Sequence, residues 1–180
     1  MMNTYARFDV IFEKGKGSWL YDTNGKKYLD FVSGIAVNCL GHSHPAIVET
    51  ISEQSKKLMH ISNLYWNNPQ LLLAEKLINN SDHQRAFFVN SGAEAIETAL
   101  KLARKYGKIR DDKKSRILFM EGSFHGRTTG ALAVTGQGKY KQDFAPLMEN
   151  IEMVRFNDIA DLKEKMDHDV CGIIIEPIQG

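Results

Sequence analysis

The segment 90–94, Asn-Ser-Gly-Ala-Glu, joins a short apolar run to a predicted helix and could bind an anion there. The apolar run covers residues 86–89, and a strand–loop–helix order would aim the backbone N–H groups of Gly92 and Ala93 along the helix axis. Unpaired N–H groups and the helix dipole favour an anion such as a phosphate. Ser91 also starts a Ser-x-x-Glu capping box, which many ordinary helices have. The spacing is therefore compatible with two interpretations, a phosphate site and an ordinary helix start.

The segment 124–128, Phe-His-Gly-Arg-Thr, follows the predicted strand 116–120 and carries three side chains of chemical interest. Arg127 could bind a carboxylate through two parallel hydrogen bonds, and Phe124 could stack on a flat ring. His125 could act as an acid or base, or as a second stacking group. The alternative is a surface turn with a solvated arginine and a phenylalanine in the core. In a parallel sheet this segment and the preceding one would lie at the same, carboxyl-terminal edge.

Glu176 follows the most apolar run of the chain, residues 170–175, at that same edge. A carboxylate in such a position is costly unless it is paired, so Glu176 is either functional or held in a structural pair. The six histidines and two cysteines form no metal-ligand or disulfide pattern, so the sequence predicts no metal site.

The elements that must position these residues follow from the apolar periodicity of the chain. Asn24-Gly25 lies between two aromatic-rich runs, 17–22 and 27–31, and predicts a hairpin. Helices are predicted to begin at Pro45 and at Asn68-Pro69. The second half alternates strands at 86–89, 116–120, 150–154 and 170–175 with helices at 92–106, closed by Gly107, and at 158–166. This order predicts an α/β fold with a largely parallel sheet and flanking helices.

Two regions of the chain are expected to differ in architecture. Residues 1–60 are predicted to form an N-terminal arm and small-lobe segment, and residues 61–180 the first part of a larger domain. The chain stops at Gly180, directly after a buried strand, where the loops of an α/β sheet usually carry a site. We therefore expect the chain to be truncated and the larger domain to be incomplete.

The composition describes an ordinary globular protein of 180 residues, 43% hydrophobic and 25% charged. A net charge of +1 gives no support for nucleic acid or an anionic membrane as a partner. The N-terminus lacks the apolar core of a signal peptide, and no apolar run approaches the ~20 residues of a membrane span. The expected location is the cytoplasm.

Five segments together resemble the class III pyridoxal-phosphate-dependent aminotransferases, which have the fold-type I architecture. They agree with the family in order and spacing, and they span essentially the whole chain. The segments are Gly15-x-Gly17 through Asp22-x-x-Gly25, Gly34-Ile35-Ala36-Val37 through Gly41-His42-x-His44-Pro45, Asn90-Ser91-Gly92-Ala93-Glu94-Ala95, Phe124-His125-Gly126-Arg127-Thr128 and Glu176-Pro177-Ile178-Gln179-Gly180.

The resemblance implies pyridoxal 5'-phosphate as the cofactor and gives each candidate residue a role. Ser91, Gly92 and Ala93 would hold the cofactor phosphate, and Phe124 would stack on the pyridine ring. Arg127 would bind the α-carboxylate of the substrates, and Tyr5 would help to hold the substrate. Glu176 and His125 would support the site without taking part in the chemistry.

The resemblance also implies a reaction. The chain is most similar to members that transfer the amino group of N2-acetyl-L-ornithine to 2-oxoglutarate, giving N-acetylglutamate 5-semialdehyde and glutamate in arginine biosynthesis. His125 is typical of these members, whereas those acting on ornithine tend to carry tryptophan there. The family's Schiff-base lysine lies beyond Gly180, so no catalytic residue is assigned and the chain alone is expected to be inactive. The longer protein is expected to be a homodimer.

Two alternatives to this interpretation stay open. The first is a sister class III aminotransferase that acts on ornithine, succinylornithine or 4-aminobutyrate. The second is a natural short form without catalytic activity, which only binds a phosphate ligand or a partner. A half-sheet with a long exposed apolar edge would be prone to aggregation, which argues against the second.

Overall fold

The computed structural model describes residues 1–180, which divide into two compact units, Met1–Asn79 and Asn80–Gly180. The expected boundary between the N-terminal arm and the larger domain, after residue 60, stays a prediction.

The first unit opens with a three-stranded antiparallel sheet. Its strands are β1 (Phe12–Lys16), β2 (Trp19–Asp22) and β3 (Lys27–Leu29), paired in that order. The predicted hairpin around Asn24-Gly25 is confirmed, and the strand β1 beside it was not predicted. Asp22 closes the turn because its Oδ1 accepts the N–H groups of Asn24 and Lys26, each at 2.9 Å.

Three helical segments follow in the first unit. They are the irregular turn α1 (Ser33–Ala36), α2 (Pro45–Lys57) and α3 (Asn68–Asn79). Both predicted helix starts are confirmed, and proline stands at the first turn of α2 as expected for its fixed φ.

His42 ties the segment before α2 to the antiparallel sheet. Its Nε2 lies 2.7 Å from Oδ2 of Asp30, and its backbone forms a two-way bridge with Gly17. A Cβ atom at Gly15 would lie 2.5 Å from the His42 ring, so this position needs glycine. The hydrogen bond from His42, with backbone N–H groups of Val32 and Ser33, lowers the pKa of Asp30.

The second unit has the predicted α/β order with a parallel sheet. Its elements are α4 (Gly92–Arg110), β4 (Arg116–Met120), α5 (Thr129–Ala133), a 3₁₀ turn (Gly138–Tyr140), β5 (Ile151–Val154), α6 (Ile159–Lys165) and β6 (Val170–Ile174). The sheet order is β5-β4-β6, and β4 runs parallel to both neighbours.

The central strand β4 builds a hydrophobic core on each face of this sheet. Ile117 and Phe119 pack with Leu100 of α4 on one face, while Leu118 and Met120 point to the other. This alternation follows from the period of two in a strand. Because both faces are covered, β4 is nearly continuously apolar, as the sequence indicated.

At the amino end of β4, Arg116 joins three acidic side chains of the neighbouring elements. It forms ion pairs with Glu152 of β5, with Asp167 and, at 2.9 Å, with Asp169. Hydrogen bonds to Asp167, Asp169 and Glu152 raise the pKa of Arg116 above its ordinary value. The pKa of Asp167 falls to about 2, because Asp167 is hydrogen-bonded to Asp169 and to Arg116. The cluster fastens the two outer strands to the central one.

Two predictions about the second unit are wrong. Residues 86–89 form no strand, because no neighbouring strand pairs with them, and Phe87 is 72% exposed. Gly107 does not close a helix, since α4 continues to Arg110. A Cβ atom at Gly107 would lie 2.5 Å from the Lys114 oxygen and 2.6 Å from Cβ of Cys171, so glycine permits close packing there.

No helix in either unit is both long enough and apolar enough to cross a lipid bilayer.

Candidate functional site

The start of α4 and the loop after β4 meet at the carboxyl edge of the parallel sheet. A Cβ atom at Gly126 would lie 2.8 Å from Cβ of Ala93 and 3.1 Å from Cβ of Ala131. The φ of Gly126 is +124°, a conformation that L side chains rarely adopt. The glycine thus lets the segment 124–128 lie directly against the helix start, which brings the two predicted segments together.

The helix start itself is capped locally. Ser91 is the N-cap of α4, and its Oγ accepts the N–H of Glu94 at 3.2 Å. The Glu94 carboxylate reaches back to the backbone N–H of Asn90 at 2.7 Å, one residue before the N-cap. A Cβ atom at Gly92 would meet nothing within 4 Å, so open space adjoins the first turn. The N–H groups of Gly92 and Ala93 belong to that turn and have no acceptor within the helix.

Glu97 of α4 anchors the start of α5 and the residue before it, Thr128, a role that was missed in the sequence. Its Oε1 accepts the Thr128 hydroxyl at 2.7 Å and the N–H groups of Gly130 and Ala131 at 2.8 and 3.1 Å. Burial raises the pKa of Glu97, but these three hydrogen bonds outweigh it and lower the pKa overall. The residues lie more than 30 positions apart, so no local pattern indicates the contact.

Glu176 lies at the same edge and acts on the backbone of Phe124. Its Oε2 accepts the Phe124 N–H at 2.8 Å, which ties the end of β6 to the loop after β4. The Phe124 ring is 42% exposed and is therefore open to a further contact. The side chain of Glu176 thus has a hydrogen-bond partner, which satisfies the requirement for a carboxylate at this position.

His125 points into the protein rather than into solvent. The residue is only 8% exposed, and its backbone N–H donates to Oγ1 of Thr135 at 3.1 Å. Burial lowers the pKa of the imidazole, while the nearby Glu176 carboxylate raises it, and the net shift is downward. The Nε2 atom is buried without a hydrogen-bond partner. A neutral ring at neutral pH is the consequence.

Tyr140 of the 3₁₀ turn was also missed, because nothing in its surrounding Gly-rich sequence indicates a site residue. Its ring makes an edge contact with Phe124, with centroids 5.9 Å apart and planes at 72°. The guanidinium carbon of Arg127 lies 6.0 Å from the same ring centroid. The ring therefore adjoins both side chains that the sequence singled out.

This edge of the sheet has three features that suit an anionic, planar ligand. Helix N–H groups favour an anion, an exposed aromatic ring offers a stacking surface, and Arg127 supplies a fork of donors for a carboxylate.

Tyr5 belongs to the first unit, where it is exposed and its ring lies 5.6 Å from the guanidinium carbon of Arg7. Its role as a substrate contact stays a prediction, as do the ligand roles of the other candidate residues.

Comparison with known proteins identifies relatives over the whole chain. The family described as aminotransferase class-III matches residues 1–180. Acetylornithine aminotransferase of Clostridium acetobutylicum is 55% identical over 181 residues, covering 100% of this chain and 47% of its own length. Acetylornithine aminotransferase of Aquifex aeolicus is 49% identical, with 100% of this chain and 48% of its own length covered. The chain thus spans about half the length of these curated relatives.

Solved structures agree with the sequence relatives. The ornithine aminotransferase of Toxoplasma gondii matches with a TM-score of 0.92 at 28% identity, covering 99% of this chain and 43% of that one. The N-acetylornithine aminotransferase of Stenotrophomonas maltophilia matches with a TM-score of 0.78 at 36% identity, covering 98% and 43%. The sheet edge described above, the family match along all 180 residues and these likenesses lead to one conclusion: the chain belongs to the class III aminotransferases.

Proposed function

We propose that this chain is part of a pyridoxal-phosphate-dependent enzyme that transfers the δ-amino group of N2-acetyl-L-ornithine to 2-oxoglutarate. The products are N-acetylglutamate 5-semialdehyde and glutamate. One structural observation carries the proposal, namely the close approach of Gly126 to Ala93, which places the helix start, Phe124 and Arg127 at one edge. The names of relatives at about 50% identity support acetylornithine as the amino donor.

The residues at this edge fit the cofactor. The space beside Gly92, where a Cβ atom would meet nothing within 4 Å, leaves room for a phosphate against the N–H groups of the first turn. The exposed ring of Phe124 suits stacking on a pyridine ring. The partnerless Nε2 of His125 is a further polar atom at this edge for which the protein provides no partner. Gly92 and Ala93, with the Ser91 cap, would hold the phosphate, and Phe124 would contact the ring.

When bound, pyridoxal phosphate supplies an electron sink for removal of a proton from the carbon that carries the amino group. The residues of this chain bind and orient the substrate and the cofactor. Arg127 holds the α-carboxylate of acetylornithine in one half-reaction and of glutamate in the other, since its planar fork matches a carboxylate. Glu176 fixes the Phe124 backbone through the 2.8 Å hydrogen bond, and His125 keeps a neutral ring beside it.

No lysine of this chain is assigned to the covalent bond with the cofactor. The resemblance implies that the family's Schiff-base lysine lies beyond Gly180, and the chain spans about half the length of its relatives. We propose that the longer protein supplies this lysine and works as a homodimer in the cytoplasm. The 180-residue chain by itself is then expected to show no amino transfer, because the lysine that would hold the cofactor covalently would come from the longer protein.

A sister activity on ornithine is the second candidate, and one observation favours it. The structural match to an ornithine aminotransferase has a higher TM-score, 0.92, than the match to an N-acetylornithine aminotransferase, 0.78. Sequence identity favours acetylornithine, at 36% against 28% in the same two structures. His125 also favours acetylornithine, since tryptophan is typical at this position in the family members that act on ornithine.

The test uses the longer protein that carries this chain, purified and loaded with pyridoxal phosphate. Its kcat/KM is measured side by side on N2-acetyl-L-ornithine, ornithine, succinylornithine and 4-aminobutyrate, with 2-oxoglutarate as acceptor. The proposal expects acetylornithine to be preferred by at least about tenfold, or 1.4 kcal/mol of transition-state binding. Preference for another amine would transfer the assignment to that sister enzyme. Failure to bind the cofactor or to transfer any amino group would overturn the proposal.

A further inference from the structure

We propose that Tyr140 is a positioning residue that sets the orientation of Phe124 and Arg127 together, and so controls how tightly substrate carboxylates bind. The inference rests on the proposed function, in which Phe124 contacts the cofactor and Arg127 the α-carboxylate. It concerns a residue outside the two segments that the sequence singled out.

The geometry is a three-part contact on one ring. Phe124 meets Tyr140 edge to face, at 5.9 Å between centroids and 72° between planes. Arg127 lies with its guanidinium carbon 6.0 Å from the Tyr140 centroid. Aromatic pairs prefer such edge contacts, and a cation is attracted to the face of a tyrosine ring. One ring thus restrains two side chains that are three residues apart in the loop.

Tyr140 is itself held in place by a short network from the loop before Phe124. The Gly122 N–H donates to the Gly136 oxygen at 3.1 Å, and the Gly136 N–H donates to the Ser123 oxygen at 2.8 Å. A side chain at Gly136 would collide with the Met120 oxygen, so the two backbones lie in direct contact.

The network continues to the 3₁₀ turn. Gln137 donates its side-chain amide to the Gly122 oxygen at 3.1 Å, and its backbone oxygen accepts the Tyr140 N–H at 3.2 Å. The position of the Tyr140 ring is therefore coupled to the backbone that leads into Phe124.

A second cation strengthens the reason for a positioning role. Nζ of Lys139 lies 4.9 Å from the same ring centroid, so Tyr140 adjoins two positive charges. Each cation is attracted to the aromatic ring, so the ring restrains both side chains. Restraining Arg127 before the substrate arrives reduces the ordering entropy that binding would otherwise cost. Tyr140 thereby favours binding of a carboxylate without touching it.

The experiment compares three variants of the longer, cofactor-loaded protein. Tyr140→Leu removes the aromatic ring, and Tyr140→Phe keeps it while removing the hydroxyl. Tyr106→Leu is the matched control, because Tyr106 also faces a guanidinium, that of Arg110 at 3.8 Å, but lies on the last turns of α4 and is 55% exposed. Thermal unfolding of all three shows that each is folded before kinetics are compared.

We expect Tyr140→Leu to raise KM for glutamate and for acetylornithine by about two- to fivefold, the size of one lost cation–π contact. The kcat value should change by less than about twofold. The visible circular dichroism band of the bound cofactor should also change, since it reports the orientation of the ring that Phe124 contacts. Tyr140→Phe should keep wild-type KM and the wild-type band, and Tyr106→Leu should keep both.

Coupling to Arg127 is tested in a double-mutant cycle. If Tyr140 acts through Arg127, Tyr140→Leu should have little further effect on KM in an Arg127→Lys background. Full additivity, or a Tyr140→Leu variant with unchanged KM and band, overturns the proposal. Tyr140→Met replaces Tyr140→Leu if the latter does not fold. A wild-type protein that binds no cofactor would instead overturn the proposed function, so the two failures are distinguishable.

Discussion

Gly126 and Ala93 lie so close that a single added Cβ atom at Gly126 would come within 2.8 Å of the Ala93 methyl group. This contact joins the loop after β4 to the first turn of α4, and with them the two groups of residues that suit a phosphate and a carboxylate. The positive φ of Gly126, +124°, makes the approach possible.

Replacing Gly126 with alanine should separate these two parts of the site. The new methyl group meets Ala93 and Ala131 and stands on a backbone conformation that costs an L residue about 1–3 kcal/mol. We expect at least about tenfold weaker binding of pyridoxal phosphate by the longer protein and a lower unfolding temperature. Gly138→Ala is the control, because a Cβ atom there meets nothing within 4 Å. Equal cofactor affinity in both variants would contradict the importance of the contact.

Glu97→Gln should weaken the anchor of the α5 segment in a pH-dependent way. The folded-state pKa of Glu97 lies below its ordinary value, so its carboxylate contributes stability above the unfolded pKa and loses it as pH falls through the folded pKa. We therefore expect the variant to unfold more easily than wild type at pH 7, with a difference that shrinks under acid conditions.

Urea unfolding between pH 7 and pH 3 measures the effect of Glu97→Gln. Glu164→Gln, at an exposed site on α6, serves as the control and should follow wild type throughout. If the stability difference between Glu97→Gln and wild type stays constant across this pH range, the charge of Glu97 does not contribute to stability.

Arg116→Met should destabilise the sheet without changing the site. The substitution leaves Glu152, Asp167 and Asp169 together without their shared cation. The pKa of Asp167, about 2 in the intact cluster, is lowered first by its hydrogen bond to Asp169 and then by Arg116. Loss of the Arg116 contribution should raise this pKa part of the way towards its ordinary value, as NMR titration can show.

Thermal unfolding should rank the variants of Arg116. We expect wild type above Arg116→Lys and Arg116→Met lowest, because lysine keeps the charge but not the planar fork that serves three carboxylates. Cofactor affinity of the longer protein should change by less than about twofold. This follows because Arg116 begins β4, whereas the candidate site lies at its opposite, carboxyl end. A large loss of cofactor binding would contradict that separation.

Glu176→Gln should lower the pKa of His125 further. Burial already lowers this pKa, and the Glu176 carboxylate partly offsets the shift. Removing the charge while keeping an oxygen that can accept the Phe124 N–H isolates the electrostatic effect. NMR titration of the imidazole measures it, and an unchanged or higher pKa would contradict the assignment. Glu176→Ala, which also removes the acceptor, should in addition weaken cofactor binding.

Much of the fold follows from local sequence. Several signals each act over only a few residues. They are the Asn24-Gly25 turn, the prolines at the starts of α2 and α3, the Ser91 cap and the apolar runs of β4, β5 and β6. Such local signals predict elements and their order, and the order predicts a parallel sheet. Family membership was also available from the sequence, because its motifs occur in a characteristic order.

What the sequence by itself determined is therefore the set of elements, the family and the residues that could do chemistry. The tertiary structure decided which of them meet. Residues 86–89 have the composition of a strand, but a strand exists only when a neighbour pairs its backbone, and none does here. Gly107 resembles a helix end, yet packing against Cys171 explains its glycine. Glu97 contacts residues that are distant from it in sequence, and no local sequence pattern indicates the contact between Tyr140 and Phe124. They arise from packing in three dimensions, and local spacing carries no information about them.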